Sequence, residues 1–167
     1  MTQIRQANEV DIPVIQKIAT ESWHHTYETL IPLDIINQCI DVFYHHDRLI
    51  KRIKHHTVLV AIKDQQLIGF IDASNDKPDA FLYALYLKPD VTHKGIGSEL
   101  FKEYLRCTHP KTVTVDVERG NDPAVCFYEK HGFKYERAFV DVVFDYSLQT
   151  ECYVWREIEA TATQGLK

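Results

Sequence analysis

Apolar residues recur at helical spacing through the first third of the chain and at strand spacing through much of the rest. Ile4–Ala7 reads as a short first strand. Asp11 is placed as the N-cap of a helix that tolerates Pro13 in its first turn, with Val14, Ile15, Ile18, Ala19 and Trp23 as its apolar face. Pro32 opens a second helical region whose inward residues are Ile35, Ile36, Cys39, Ile40 and Phe43. Asp47 restarts it, with Leu49, Ile50 and Ile53 inward. The period then falls to two. Thr57–Ile62 and Leu67–Ala73 are β-rich runs around the turn residues Asp64 and Gln65, and Ala80–Leu87 is apolar on both faces, as a central strand should be. A helix carrying Ile96, Leu100, Phe101, Tyr104 and Leu105 stops before Pro110. The next strand puts Val113, Val115 and Val117 on one side and Thr114 and Asp116 on the other. Asn121-Asp122-Pro123 starts a helix that Gly132 ends, and Phe133–Asp145 and Cys152–Ile158 supply the last strands. The predicted order is β-αα-βββ-α-β-α-ββ: an α/β (α+β) fold with a mixed sheet and helices on both faces.

No repeat, low-complexity tract or linker divides the 167 residues, so one domain over 1–160 with a short tail, 161–167, is expected. A formal charge of −5 argues against a general nucleic-acid binder, while leaving room for a local site for one anion. No apolar run approaches the roughly 20 residues of a membrane span. The first residues, MTQIRQANEV, lack the apolar segment of a signal peptide, which points to the cytoplasm. Cys39, Cys107, Cys126 and Cys152 are too scattered for a disulfide framework or a zinc site, and read as reduced, mostly buried residues. The pairs His24-His25, His45-His46 and His55-His56 tempt a metal reading. Adjacent helical residues point about 100° apart, however, and no HExxH spacing exists, so no metal is expected.

The segment VTHKGIGSELF, residues 91–101, lies where a strand gives way to a helix. A helix N-terminus offers unpaired N–H groups and about half a positive charge. Glycines there let a ligand approach the backbone, and Lys94 adds a cation. These features suit a phosphate or diphosphate. Equally, Gly95 and Gly97 suit a helix packed tightly on a sheet. The P-loop spacing is absent, and a GxGxxG loop would need glycine where Leu100 stands.

The downstream residues carry a resemblance. Gly95-Ile96-Gly97, then Asn121, then Phe127-Tyr128 and Gly132-Phe133 in an FYxxxGF arrangement, resemble the GCN5-related N-acetyltransferase (GNAT) superfamily over about residues 80–136. The element order, with the segment ESWHHTYETLIP, extends the likeness to most of the chain. The resemblance implies a mostly antiparallel sheet of about seven strands and an acetyl-CoA-dependent N-acetyltransferase acting on a primary amine by direct attack. The alternative it leaves is a coenzyme-A-binding sensor or regulatory module with little turnover. Relatives are often homodimers, and the implied partners are a small-molecule or peptide amine, with neither nucleic acid nor membrane.

By the same resemblance, Leu85, Tyr86 and Leu87 would pair through their main chain with the pantetheine amides of acetyl-CoA. His93, Lys94, Gly95, Ile96, Gly97 and Ser98 would wrap its diphosphate, and Asn121 would bond the pantetheine arm. Tyr128 would meet the thioester sulfur and protonate the leaving thiolate. Thr92 stands where the family usually has glutamine or arginine, and Phe81 where many relatives have glutamate. An alkylamine with a pKa of about 10.4 is neutral in about one molecule in 2,500 at pH 7, a handicap of about 4–5 kcal/mol, so a base is expected. Asp116 is the candidate, with Glu118 on the same strand face in reserve. Trp23, Tyr27 and Glu28 are candidates to receive the amine, with Phe43 beside them and Asp141, Asp145 and Tyr146 opposite; aromatics with carboxylates suit a cation.

Overall fold

In the computed structural model, which describes residues 1–91 and 94–158, strand β1 (Gln3–Gln6) precedes helices α1 (Ile12–Tyr27), α2 (Leu33–Phe43) and α3 (His46–His55). Strands β2 (Thr57–Lys63), β3 (Gln66–Ala73) and β4 (Asp79–Leu87) follow. Helix α4 (Ile96–Thr108), strand β5 (Thr112–Glu118), helix α5 (Asp122–Lys130) and strands β6 (Lys134–Val143) and β7 (Tyr146–Arg156) complete the chain. One sheet runs in the order β1-β2-β3-β4-β5-β7-β6, and only the β4–β5 pair is parallel. The expected mixed, mostly antiparallel sheet with helices on both faces is present. The expected tail, 161–167, lies outside the described residues, as do Thr92 and His93.

Two apolar cores flank the sheet. Helices α1, α2 and α3 cover one face with Ile15, Ile18, Ile36 and Leu49. Helix α4 covers the other with Ile96, Leu100, Phe101 and Tyr104 over Val113, Val115 and Val117. Each such side chain, fully buried, contributes about 1.5–3 kcal/mol. The alternation along β5 therefore delivers Thr114, Asp116 and Glu118 to the α1 side. Helix α3 is tied down by charge as well: the buried Asp72 carboxylate lies 2.7 Å from His56 Nδ1 and 3.6 Å from Arg52.

Three local readings change. The second helical region is two helices, because His45 caps α3 by accepting from the Asp47 amide. Asp11 makes no cap bond to α1; Asn8 caps a short 3₁₀ turn instead, and Asp11 reaches back to the Asn8 amide and to Arg5, 2.8 Å away. Finally, β7 begins at Tyr146, six residues before Cys152. Phe144 and Asp145 both take positive φ (47° and 62°) and close a two-residue hairpin turn where a loop was expected. Nothing in the pair Phe-Asp advertises such a turn, since glycine and asparagine are its usual occupants. Of the cysteines, Cys39 and Cys152 are buried but Cys107 and Cys126 are exposed, and all four are free.

The Arg5 bond and the Asn8 amide hold the Asp11 carboxyl below its ordinary 3.8. A carboxyl depressed by folding stabilises the fold above its unfolded pKa, and that stability disappears as pH falls through the folded value. Asp11→Asn should therefore cost stability at pH 7 and flatten its decline below about pH 4. Urea denaturation at a series of pH values measures both.

Candidate active site

Strands β4 and β5 pair over four residues, from Asp79↔Thr112 to Leu82↔Val115, and no further. The break has a local cause. On the other side of β4, Ala73 faces Leu82 while Asp72 faces Ala84, so Tyr83 is an extra residue, a β-bulge. A bulge bends its strand and increases local twist. Beyond it β4 stays with β3, through Leu85↔Ile71 and Tyr86↔Phe70, while β5 pairs to its end with β7. Among the described residues no strand lies between the tip of β4 and the tip of β5. The edge of Leu85–Leu87 facing β5 is thus left for another extended backbone to meet.

On the α4 side of this gap lie Leu85 and Leu87, then Phe127 and Tyr128 of α5. Helix α4 opens beside it. Gly95 occupies its N-cap at φ 82°, a conformation that a side chain would strain. The first turn bond runs from the Glu99 amide to the Gly95 carbonyl, so the amides of Ile96, Gly97 and Ser98 are the donors of this terminus that take no helical partner among the described residues. A Cβ on Gly97 would meet the Phe127 ring at 3.1 Å. Both sequence readings of the glycines therefore apply, one to each. Gly95 provides the turn that frees the amides, and Gly97 lets α5 pack against them. Lys94 is exposed at the same end.

On the α1 side, the Tyr27 hydroxyl donates to Glu118 Oε2 at 2.7 Å. Burial pushes the Glu118 carboxyl above its ordinary 4.5, and the Tyr27 bond partly opposes this. Tyr128 is 7% exposed and packs edge-on to Phe127 and Phe133. Burial, and then the charge of Glu118, raise its phenol above 10. Tyr86 is raised in the same way, with Tyr44, Tyr27 and Glu118 as its neighbours. Glu118 is thus the charge felt by three tyrosines around the gap.

Asp116 lies on the same face of β5 but opposite Cys152 of β7, under the influence of Arg137 and Asp141. Burial raises its pKa too. Asn121 caps α5, its side-chain oxygen accepting from Ala124. The Leu87 carbonyl accepts from Ser22 of α1 at 3.2 Å. Of the amine-side candidates, Tyr27 reaches Glu118, and Trp23 packs in the core against Tyr27 and Phe43. Glu28 is exposed at the end of α1. Phe144, at the hairpin tip, extends the aromatic row from Phe43 at 6.4 Å. The sequence reading had not singled out Phe144. His131, whose ring joins α5 to α4 through Ser98, was missed as well. Among the described residues, no group of three or more His, Cys, Asp or Glu is arranged to hold a metal. No described helix is long and apolar enough to cross a membrane.

Comparison with known proteins agrees with this geometry. The family described as "Acetyltransferase (GNAT) domain" matches residues 54–135. A spermidine N(1)-acetyltransferase of Thermoplasma acidophilum is 33% identical over 143 residues, 80% of this chain and 89% of that protein. The peptidyl-lysine N-acetyltransferase YiaC of Escherichia coli is 28% identical over 132 residues, 78% of this chain and 82% of the relative. The crystal structure of PaiA N-acetyltransferase from Thermoplasma acidophilum in complex with coenzyme A superposes with a TM-score of 0.82, at 29% identity, covering 94% of this chain and 99% of that one. These relatives do not favour the alternative of a binding module with little turnover. The chain belongs to the GCN5-related N-acetyltransferase family, and is an enzyme that carries the acetyl group of acetyl-CoA to an amine.

Proposed function

We propose that the acceptor is a small polyamine of the spermidine type, and that Glu118 and Tyr128 divide the proton chemistry between them. The observation that carries this is the half-buried Glu118 carboxylate, held by Tyr27 beside the gap where β5 parts from β4. Acetyl-CoA enters as a substrate from the α4 side. Its diphosphate meets the amides of Ile96, Gly97 and Ser98, with Lys94 nearby, and its pantetheine arm lies along Leu85, Tyr86 and Leu87. His93, which lies outside the described residues, belongs to the same proposed set. Asn121 accepts from the Ala124 amide through its side-chain oxygen, which turns its amide nitrogen outward as the donor to the arm.

The amine arrives from the α1 side as an ammonium. Glu118, with a raised pKa, accepts its proton directly or through water, and the freed amine attacks the thioester carbonyl. Tyr128 donates to the sulfur as it leaves, and the second proton, shed by the attacking nitrogen as it becomes an amide, restores the phenol. The burial that raises the phenol also raises the proton affinity of a thiolate in the same cavity, so donor and acceptor shift together. Asp116 takes second place as the base, because its surroundings include the cross-strand Arg137 and Cys152. It suits a charged nitrogen further along the same molecule. The relatives act on different amines, spermidine in one case and peptidyl lysine in another. The carboxylates of Glu118, Asp116 and Asp141 influence one another along one face of the sheet, which favours the acceptor with several cations. Four free thiols, two of them exposed, fit a reducing compartment such as the cytoplasm.

The test is thiol release from acetyl-CoA over a panel of spermidine, putrescine, a simple monoamine and a lysine peptide. Spermidine should exceed the peptide in kcat/KM by at least about tenfold; the reverse order would overturn the acceptor assignment. Tyr27→Phe supplies a further reading. The Tyr27 bond stabilises the carboxylate, so its loss raises the Glu118 pKa. The acidic limb of kcat/KM should therefore move to higher pH in this variant. An unmoved limb would detach Glu118 from the proton transfer.

A further inference from the structure

We propose that His131 is a positioning residue for the acetyl-CoA site: it holds Ser98 in the first turn of α4 and fixes which of its groups faces the diphosphate. This rests on the placement of the diphosphate at that turn.

The ring of His131 has both nitrogens engaged. Nδ1 lies 2.8 Å from the Phe127 carbonyl oxygen, which can only accept, so Nδ1 carries the proton. In the neutral ring Nε2 then holds a lone pair, and it lies 2.6 Å from Ser98 Oγ. Ser98 must donate. Its hydroxyl proton is turned toward His131 and away from the mouth of the helix, and what Ser98 offers an anion is its main-chain N–H. The ring itself is fixed on two sides. It stacks on Phe127 at 4.3 Å and stands perpendicular to Phe101 of α4 at 6.2 Å. Phe127 in turn touches Gly97. The first residue beyond α5 therefore braces the second and third donors of α4, Gly97 through the stacked Phe127 ring and Ser98 through a hydrogen bond. This brace joins the two sequence motifs, GIG and FYxxxGF, that are separated by some thirty residues of chain.

The experiment measures CoA affinity by titration calorimetry and steady-state kinetics for His131→Phe, His131→Gln, Ser98→Ala and the double variant of His131→Phe with Ser98→Ala. Phenylalanine keeps the stacking and loses both nitrogens; glutamine restores an acceptor for Ser98. His131→Phe and Ser98→Ala should each weaken CoA binding about five- to tenfold. Each should raise the KM for acetyl-CoA while kcat at saturation stays within about twofold. The double variant should be no weaker than the weaker single one, because both remove the same bond. His131→Gln should recover most of the affinity. Unchanged CoA affinity in His131→Phe, or losses that multiply in the double variant, would overturn the proposal. Should His131→Phe fail to fold, Ser98→Ala alone decides, since it deletes the same bond from the other side. A wild-type protein that binds CoA while the variants match it leaves the diphosphate site standing and removes only the brace. A wild-type protein that binds no CoA removes both.

Discussion

Tyr128→Phe should lower kcat by about a hundredfold or more at pH 7, with CoA affinity within about threefold of wild type. Tyr128 packs by its ring, against Phe127 and Phe133, and phenylalanine keeps those contacts. Among the described residues no hydrogen bond depends on the Tyr128 hydroxyl, so its removal leaves no stranded partner. The missing group is then one that acts only when the sulfur gains charge. A loss of this kind lowers kcat and kcat/KM together and leaves binding alone. About a hundredfold corresponds to about 2.7 kcal/mol of transition-state stabilisation, a plausible value for one well-placed donor in a site shielded from water. Single-turnover measurement of thiol release with saturating acetyl-CoA separates this step from product release. An unchanged single-turnover rate would return Tyr128 to the core and leave the leaving group to solvent.

Glu118→Gln should have the second large effect, a loss of about a hundred- to a thousandfold in kcat/KM near neutral pH. The substitution keeps an oxygen for the Tyr27 hydroxyl, so the fold has no new unsatisfied donor. It removes the charge, and with it the acceptor for the ammonium proton. The pH profile distinguishes this from a packing defect. In the wild type, activity should rise as Glu118 deprotonates, at a pH above the ordinary 4.5 because burial raises this carboxyl. In the glutamine variant that limb should vanish, and the rate should climb steadily toward the amine pKa of about 10.4, since only the small neutral fraction reacts. A constant proportional loss at every pH would instead indicate a structural role. Asp116→Asn, by comparison, should leave the limb in place and change discrimination between diamines and monoamines. A vanished limb in Asp116→Asn would exchange the two roles.

Much of this architecture is legible in the chain because its elements differ in period. The alternation of Val113, Val115 and Val117 with Thr114 and Asp116 gives β5 its two faces, and the structure keeps that alternation to Glu118. Asn121 and Gly132 bracket α5 as a cap and a stop should, with Gly132 at φ 93°. What escapes is tertiary. The bulge at Tyr83 lies inside a run, AFLYALYL, that is apolar throughout, so no polar break marks the point where β4 leaves β5. Asp116 and Glu118 are equivalent to any reading of the strand alone. Their difference comes from Tyr27, 91 residues away in sequence, which meets only one of them. His131 is hidden for the same reason, since it sits at a variable position of the FYxxxGF segment and its importance arises from a serine on another helix. The Phe144-Asp145 turn was missed because a residue other than glycine accepts positive φ there, where Phe144 packs toward Phe43.

The four-residue junction between β4 and β5 has a mechanical meaning. Strands β1 to β4 form one half-sheet and β5 to β7 another, and between the halves the ladder is short and then ends. By contrast β5 and β7 are zipped over seven residue pairs. Inside the sheet, away from the equally short pairing of the edge strand β1, the seam between the halves has the shortest ladder, so thermal breathing should concentrate along it. A pantetheine chain lying in that seam would stitch the halves with amide contacts of its own, so that the substrate acts for a moment as part of the scaffold that it is processed by.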